Sequence, residues 1–177
     1  MKRRIRPNEY LYLPGGLAVV LMAGGVRAIL DAADVHLVSP YRWNVRRDRS
    51  GACYAVSHSV HGVTLGMHRI IMGAPVGMIV DHVNRDGLDN RRSNLRLATH
   101  AQNMRNRKRQ SNNTSGYHGV TYWKHCGRYA ALIRVDGKRR HIGLFATAEE
   151  AALAYDEAAR SAHGEFASLN FPTKVLQ

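Results

Sequence analysis

The sequence predicts an α+β chain made of modules. A β-rich N-terminal region comes first, then a short strand–loop–strand–helix unit, then a three-stranded antiparallel sheet with one helix. Three observations carry this reading. Short apolar runs bounded by Gly, Pro, Asn and Asp recur through the chain, which is strand patterning. Thr99 with Gln102, and Thr147 with Glu150, are capping-box signals that open two helices. The charge is clustered: eight basic and two acidic residues lie in 84–110, six and one in 117–145, and two and five in 146–177.

The composition limits the function classes. With 177 residues the chain has room for one ordinary domain or two small ones. A hydrophobic fraction of 45% supports a packed core and excludes a wholly disordered chain. Two cysteines, Cys53 and Cys126, exclude a disulfide scaffold and a four-cysteine zinc module. The 26 Lys and Arg against 13 Asp and Glu leave +13, which points to a polyanionic partner, nucleic acid before acidic membrane. One basic stretch alone could be a solvated face. Two of them flanking the neutral run Ser111–Gly116 argue for a partner.

The elements follow in chain order. Lys2, Arg3, Arg4 and Arg6 before Leu17–Ala23 imitate a signal peptide, but Pro14-Gly15-Gly16 interrupts and the apolar run is short. A cytoplasmic chain with reduced thiols, and no membrane partner, is therefore expected. Tyr10, Tyr12 and Leu17–Met22 flank that turn as a hairpin. Arg27–Val38 is expected as a short helix stopped by Ser39-Pro40. Tyr54–Ser59 and Val63–Met67 bracket His61-Gly62 as a second hairpin. Ile79–Val83 and Leu95–Ala98 read as strands around a turn-rich loop with Asp86-Gly87 and Asp89-Asn90, and a helix begins at Thr99. Three further strands are expected at Gly119–Trp123, Tyr129–Val135 and Arg139–Phe145, the last two joined by Asp136-Gly137. A helix with an alanine-rich face, from Ala148 to Ala162, then runs to Gly164.

Asp81, His82, Asn94 and Asn103 are the candidate chemical residues. Phosphodiester hydrolysis needs a base for water and a means of holding charge on the leaving oxygen. A neutral imidazole supplies the first. A carboxylate and an amide oxygen supply ligands for a hard divalent ion. The same residues also fit ordinary turn and capping chemistry.

Residues 80–106, VDHVNRDGLDNRRSNLRLATHAQNMRN, with the lead-in MHRIIMG at 67–73, resemble the HNH endonuclease module of phage and intron-encoded homing endonucleases. The resemblance implies a ββα-metal fold with one divalent ion, Mg²⁺ or Mn²⁺, and no zinc. His82 would be the general base, and Asn94 would orient the loop that bears it through backbone contacts, so these two form the catalytic pair. Asp81 and Asn103 would bind the metal. His68 matches a lead-in position and is read as core packing. Arg91, Arg92, Arg96, Arg105 and Arg107 would grip the DNA backbone beside the cut.

Residues 115–172, with HIGLF, AALAYDEAA and the closing LNFP, resemble an AP2 DNA-binding domain. That implies a sheet laid in the major groove of double-stranded DNA and backed by the helix. Arg134 would contact DNA from the second strand, Arg139 and His141 from the third, and His118, Thr121 and Trp123 from the first. Lys124, Lys138 and Arg140 would touch phosphates. The expected division is residues 1–65 as β-rich scaffold, 66–106 as the HNH module, 107–115 as linker, 116–172 as the AP2 domain and 173–177 as tail. The resemblance implies a metal-dependent homing endonuclease of phage or mobile-element origin, acting in a bacterial host or infected cell, by nick or double-strand break. Two alternatives stay open: an AP2-type DNA-binding protein or regulator without catalysis, and a binder of structured RNA.

Overall fold

The computed structural model describes residues 8–58, 62–105 and 113–172, without the Arg105 side chain. Arg107 and most of the expected linker lie outside the described residues. The described residues form a mixed α/β structure with four small antiparallel sheets and few helices. It divides into two compact units, Met1–His100 and Ala101–Gln177.

In the first unit, β1 (Glu9–Leu13), β2 (Leu17–Leu21) and β3 (Arg27–Asp31) form a sheet in that order. Gly15 and Gly16, at φ 77° and 73°, make the turn between β1 and β2. The helix expected over Arg27–Val38 is corrected in its first half. Arg27–Asp31 is a strand, followed by a 3-10 turn at Ala32–Asp34 and the one-turn helix α1 (Val35–Val38). Ala28 pairs with Val20 and Leu30 with Ala18, all four fully buried. The period-two burial and the ladder to β2 override the helix preference of Ala and Leu.

The second sheet orders β4 (Asn44–Arg47), β5 (Cys53–His58) and β6 (Thr64–Gly66). Met67, expected at the end of a strand, instead begins α2 (Met67–Ile71). A third, two-stranded sheet pairs β7 (Ile79–His82) with β8 (Leu95–Ala98), and α3 (His100–Arg105) follows. One core joins Val20, Leu30, Trp43, Ala55, Met67, Ile71, Val80 and Leu95. The boundary expected between 65 and 66 is therefore crossed by continuous packing. Backbone bonds also tie the halves: Ile29 N–H donates to Leu88 O at 2.9 Å, and Asn90 N–H to Ile29 O at 2.7 Å.

In the second unit, β9 (Val120–Trp123), β10 (Arg128–Val135) and β11 (Lys138–Phe145) form a sheet with β10 in the middle. Asp136 and Gly137, at φ 51° and 75°, are both left-handed, as a two-residue hairpin of type I′ requires. The helix α4 (Ala148–His163) starts with the full Thr147–Glu150 capping box, a device that contributes about 1 kcal/mol. Ala151, Ala152 and Ala159 are buried, whereas Ala162 is exposed, so the apolar face stops short of the helix end. A Cβ at Gly119 would collide with the Tyr155 ring, so glycine lets helix and sheet approach closely. Buried Asp156 accepts from the backbone N–H groups of Asn170 and Phe171, each at 2.8 Å, and fastens the closing segment to the helix.

Candidate functional site

His82 ends β7 and is buried. Its ring meets two aromatic neighbours, His68 with centroids 5.1 Å away and Tyr54 at 5.9 Å. His68 and Tyr54 also touch, at 6.1 Å. Two glycines make room. A Cβ at Gly66 would lie 2.7 Å from His68 Cε1, and one at Gly87 would collide with the Tyr54 ring and the Cys53 carbonyl oxygen. Burial pushes the His82 pKa down, against a side-chain hydrogen bond with Asn90 and the charges of Asp81, Asp86 and Asp89. Burial first, then the charges of His82, Arg69 and Arg46, pushes His68 down to about 3. Both imidazoles are thus neutral at neutral pH, and a neutral imidazole can accept a proton.

The loop behind His82 is closed at its base by Asn94, which is buried. Asn94 Oδ1 accepts from Asn84 N–H at 2.9 Å, and its Nδ2 donates to Asn84 Oδ1 at 2.9 Å and to Asp89 O at 2.8 Å. Its carbonyl accepts from Val83 N–H at 2.9 Å. Turn carboxylates shape the rest of the loop: Asp86 Oδ1 accepts from Leu88 N–H at 3.0 Å, and Asp89 Oδ2 from Asn84 Nδ2 at 2.9 Å.

Three arginines expected on the DNA backbone are ion-paired to carboxylates of the fold, Arg96 largely covered and Arg91 and Arg92 with side chains 38% and 52% exposed. Arg96 stands opposite Asp81 across the two-stranded sheet and donates from Nε (2.9 Å) and Nη2 (2.8 Å) to Oδ2. That pair is buried, with side-chain exposures of 13% and 7%. Arg92 forks onto Asp34, donates to Ile71 O, and its backbone N–H donates to Asp31. Arg91 pairs with Asp89 at 2.6 Å. Each has a carboxylate within reach, and this local pairing consumes the charge that the basic run displays in sequence.

Asp81 carries a carboxylate and Asn103, half-buried on α3, an amide, both oxygen donors of the type a hard divalent ion takes. Arg96 already holds one oxygen of that carboxylate. Among the described residues no group of three or more His, Cys, Asp or Glu is placed to hold a metal ion.

In the second unit, cross-strand pairs define the open face of the sheet. Thr121 lies opposite Ala130, Trp123 opposite Arg128, Leu132 opposite His141 and Arg134 opposite Arg139. The alternate residues Val120 and Ala131 pack with Ala151 and Ala152 of α4 on the other side. Thr121, Trp123, Arg134, Arg139 and His141 therefore share the face away from the helix. Trp123 and His141 stack over the middle strand, with centroids 5.3 Å apart and planes 19° apart. His118 is tied to the closing segment. It precedes β9 rather than lying in it, its N–H donates to Asn170 Oδ1 at 2.6 Å, and its Nε2 lies 3.5 Å from Ser168 Oγ. Arg140 pairs with Ile133 on the helix side.

Sequence reasoning missed Tyr54, which lies far from His82 along the chain, and Asn90, which it read only as a turn residue. The strand alternation of β5 carried a partial signal for Tyr54: Ala55 faces the core, so Tyr54 faces away from it.

The HNH endonuclease family model matches residues 67–105. An uncharacterized HNH endonuclease of Acanthamoeba polyphaga mimivirus is 36% identical over 140 residues, covering 76% of this chain and 69% of that one. Protein 3.8 of Escherichia phage T7 is 31% identical over 93 residues, 52% of this chain and 76% of its own. An ethylene-responsive transcription factor of Arabidopsis thaliana is 64% identical over 47 residues, 25% of this chain and only 22% of its own. No solved structure matches significantly. The chain belongs to the HNH endonuclease family. It combines that nuclease module with an AP2-like domain. No helix among the described residues is long and apolar enough to cross a membrane.

Proposed function

We propose that this chain is a metal-dependent HNH homing endonuclease that hydrolyses double-stranded DNA, by a nick or a double-strand break. The AP2-like sheet would choose the target, and the cytoplasm of a bacterial host or infected cell would be its place of action. The observation that carries the reading is His82: a buried, neutral imidazole at a strand end, on a loop closed by Asn94 and next to Asp81. An imidazole nitrogen of His82 takes the proton of the attacking water as its oxygen bonds to phosphorus. The P–O3′ bond breaks, and the 3′ oxygen leaves and is protonated from solvent. Asn94 holds the loop that aims the ring. Asp81 and Asn103 would hold one Mg²⁺ or Mn²⁺; His100, three residues before Asn103 on the same helix, is a weaker candidate ligand. When bound, that ion stabilises charge on the leaving oxygen. Arg105 and Arg107 remain candidates for the DNA backbone. Thr121, Trp123, Arg134, Arg139 and His141 are assigned to the duplex.

The test is cleavage of a supercoiled plasmid library with Mg²⁺, Mn²⁺ or EDTA, with His82→Ala alongside. Metal-dependent open-circle or linear product, lost in the variant while DNA affinity stays, supports the enzyme. Wild-type rates from His82→Ala remove His82 as the base. One observation favours the second reading, a non-catalytic DNA-binding protein: Arg96 already neutralises the Asp81 carboxylate. DNA binding without product under any metal supports that reading.

A further inference from the structure

We propose that Arg46, outside the matched motif, is a DNA-phosphate contact of the His82 site. The inference rests on the nuclease reading above. Four of the matched motif's arginines are already engaged: Arg91, Arg92 and Arg96 are ion-paired, and Arg69 donates to the carbonyls of Met78, Ala74 and Pro75 at 2.7, 3.2 and 3.1 Å. A site that receives a polyanion still needs a cation at hand.

Arg46 is placed for that task. It stands directly opposite Tyr54 in the pairing of β4 with β5, and cross-strand partners share a face. Tyr54 is the residue whose ring meets His82 and His68. The Arg46 charge acts on both Tyr54 and His68, in keeping with its place opposite Tyr54. Arg46 is exposed, and among the described residues it forms no ion pair or side-chain hydrogen bond. Nearby Asp48 is taken by its own turn, accepting from Ser50 N–H and Oγ and from Ala52 N–H. A planar guanidinium with its donors unspent suits the non-bridging oxygens of a backbone phosphate. The neighbouring Arg47 pairs with Cys53, so it points to the other face, and it bonds to Gly51 O. It is a matched control on the same strand.

The experiment compares full-length wild type, Arg46→Ala, Arg46→Lys, Arg47→Ala and His82→Ala. Plasmid cleavage is measured with Mg²⁺, and binding of a random-sequence duplex is measured in EDTA across a salt series. Arg46→Ala should cut roughly tenfold more slowly. Its log affinity should depend less steeply on log salt, by about 0.9. Arg46→Lys should keep the salt slope, and Arg47→Ala should match wild type in both assays. Wild-type behaviour of Arg46→Ala, or equal losses in both alanine variants, overturns the contact. If wild type cleaves and His82→Ala does not, the nuclease reading stands whatever Arg46 does. If wild type never cleaves, that reading fails, and the salt slopes alone decide whether Arg46 touches DNA.

Discussion

The imidazoles of His68 and His82 meet edge to face, with centroids 5.1 Å apart, and burial holds both below the ordinary histidine pKa. This geometry sets a pH dependence of stability. In the folded chain His68 titrates at about 3, whereas the unfolded chain takes up that proton near 6.5. The stability it contributes is full above 6.5 and is lost as pH falls toward 3. His82 shifts in the same direction and adds to the effect. Urea unfolding between about pH 7 and 5.5 should show stability falling by up to about 1.4 kcal/mol per pH unit per histidine. His68→Phe keeps a ring at the contact and should flatten that slope. An unchanged slope would remove His68 from the account.

The Asp81–Arg96 pair is buried, whereas Arg91 is 38% exposed at its pair with Asp89. The two should therefore respond differently to truncation. Arg96→Ala leaves a buried carboxylate without its cation and should cost about 3–5 kcal/mol. Arg91→Ala should cost about 1 kcal/mol or less. Denaturant unfolding of both variants checks the contrast. Mg²⁺ should raise the melting temperature of Arg96→Ala more than that of wild type, because the cation then replaces the guanidinium. Equal, small losses in the two variants would show that the Asp81 pair behaves like a surface contact.

Local patterns in the sequence located most of the elements. The Asp136-Gly137 hairpin, the Thr147–Glu150 cap and the strands around residues 84–94 are set by signals a few residues apart, and they form where those signals stand. Arg27–Asp31 was misread because its alternation becomes decisive only once β2 lies beside it. The site was legible along the chain but not across it. Asp81, His82 and Asn94 stand out in one segment, while Tyr54 reaches His82 only through loop packing and Arg46 stands opposite Tyr54 only through sheet pairing. The fate of Arg91, Arg92 and Arg96 was hidden for the same reason. A basic run shows how many charges a segment has, and only the fold shows which of them a carboxylate takes.

On the AP2-like sheet, Arg134 and Arg139 stand directly opposite each other. Like charges in that position repel, so an anion placed between them is favoured. Arg134→Ala should weaken binding at the preferred target by about 1–3 kcal/mol if Arg134 reads a base edge. A competition assay against a random duplex at fixed salt separates the cases. A loss confined to the preferred target assigns Arg134 to a base, and an equal loss on every sequence assigns it to phosphate.

Gly87 offers a way to displace the loop behind His82 without touching a chemical group. A Cβ there would collide with the Tyr54 ring and with the Cys53 carbonyl oxygen, and the second obstacle is backbone that no rotamer change clears. Gly87→Ala must therefore push the loop off β5, at an overpacking cost of about 1–3 kcal/mol. His82 lies five residues upstream, and Tyr54 packs on both, so the imidazole loses its neighbour as the loop moves. Cleavage should fall steeply while duplex affinity, which the proposed function assigns chiefly to the AP2-like sheet, stays near wild type. The paired measurement is single-turnover plasmid cleavage beside a gel-shift titration at one salt concentration. Cleavage at the wild-type rate from a folded Gly87→Ala would show that the packing of Tyr54 under this loop has no part in placing His82.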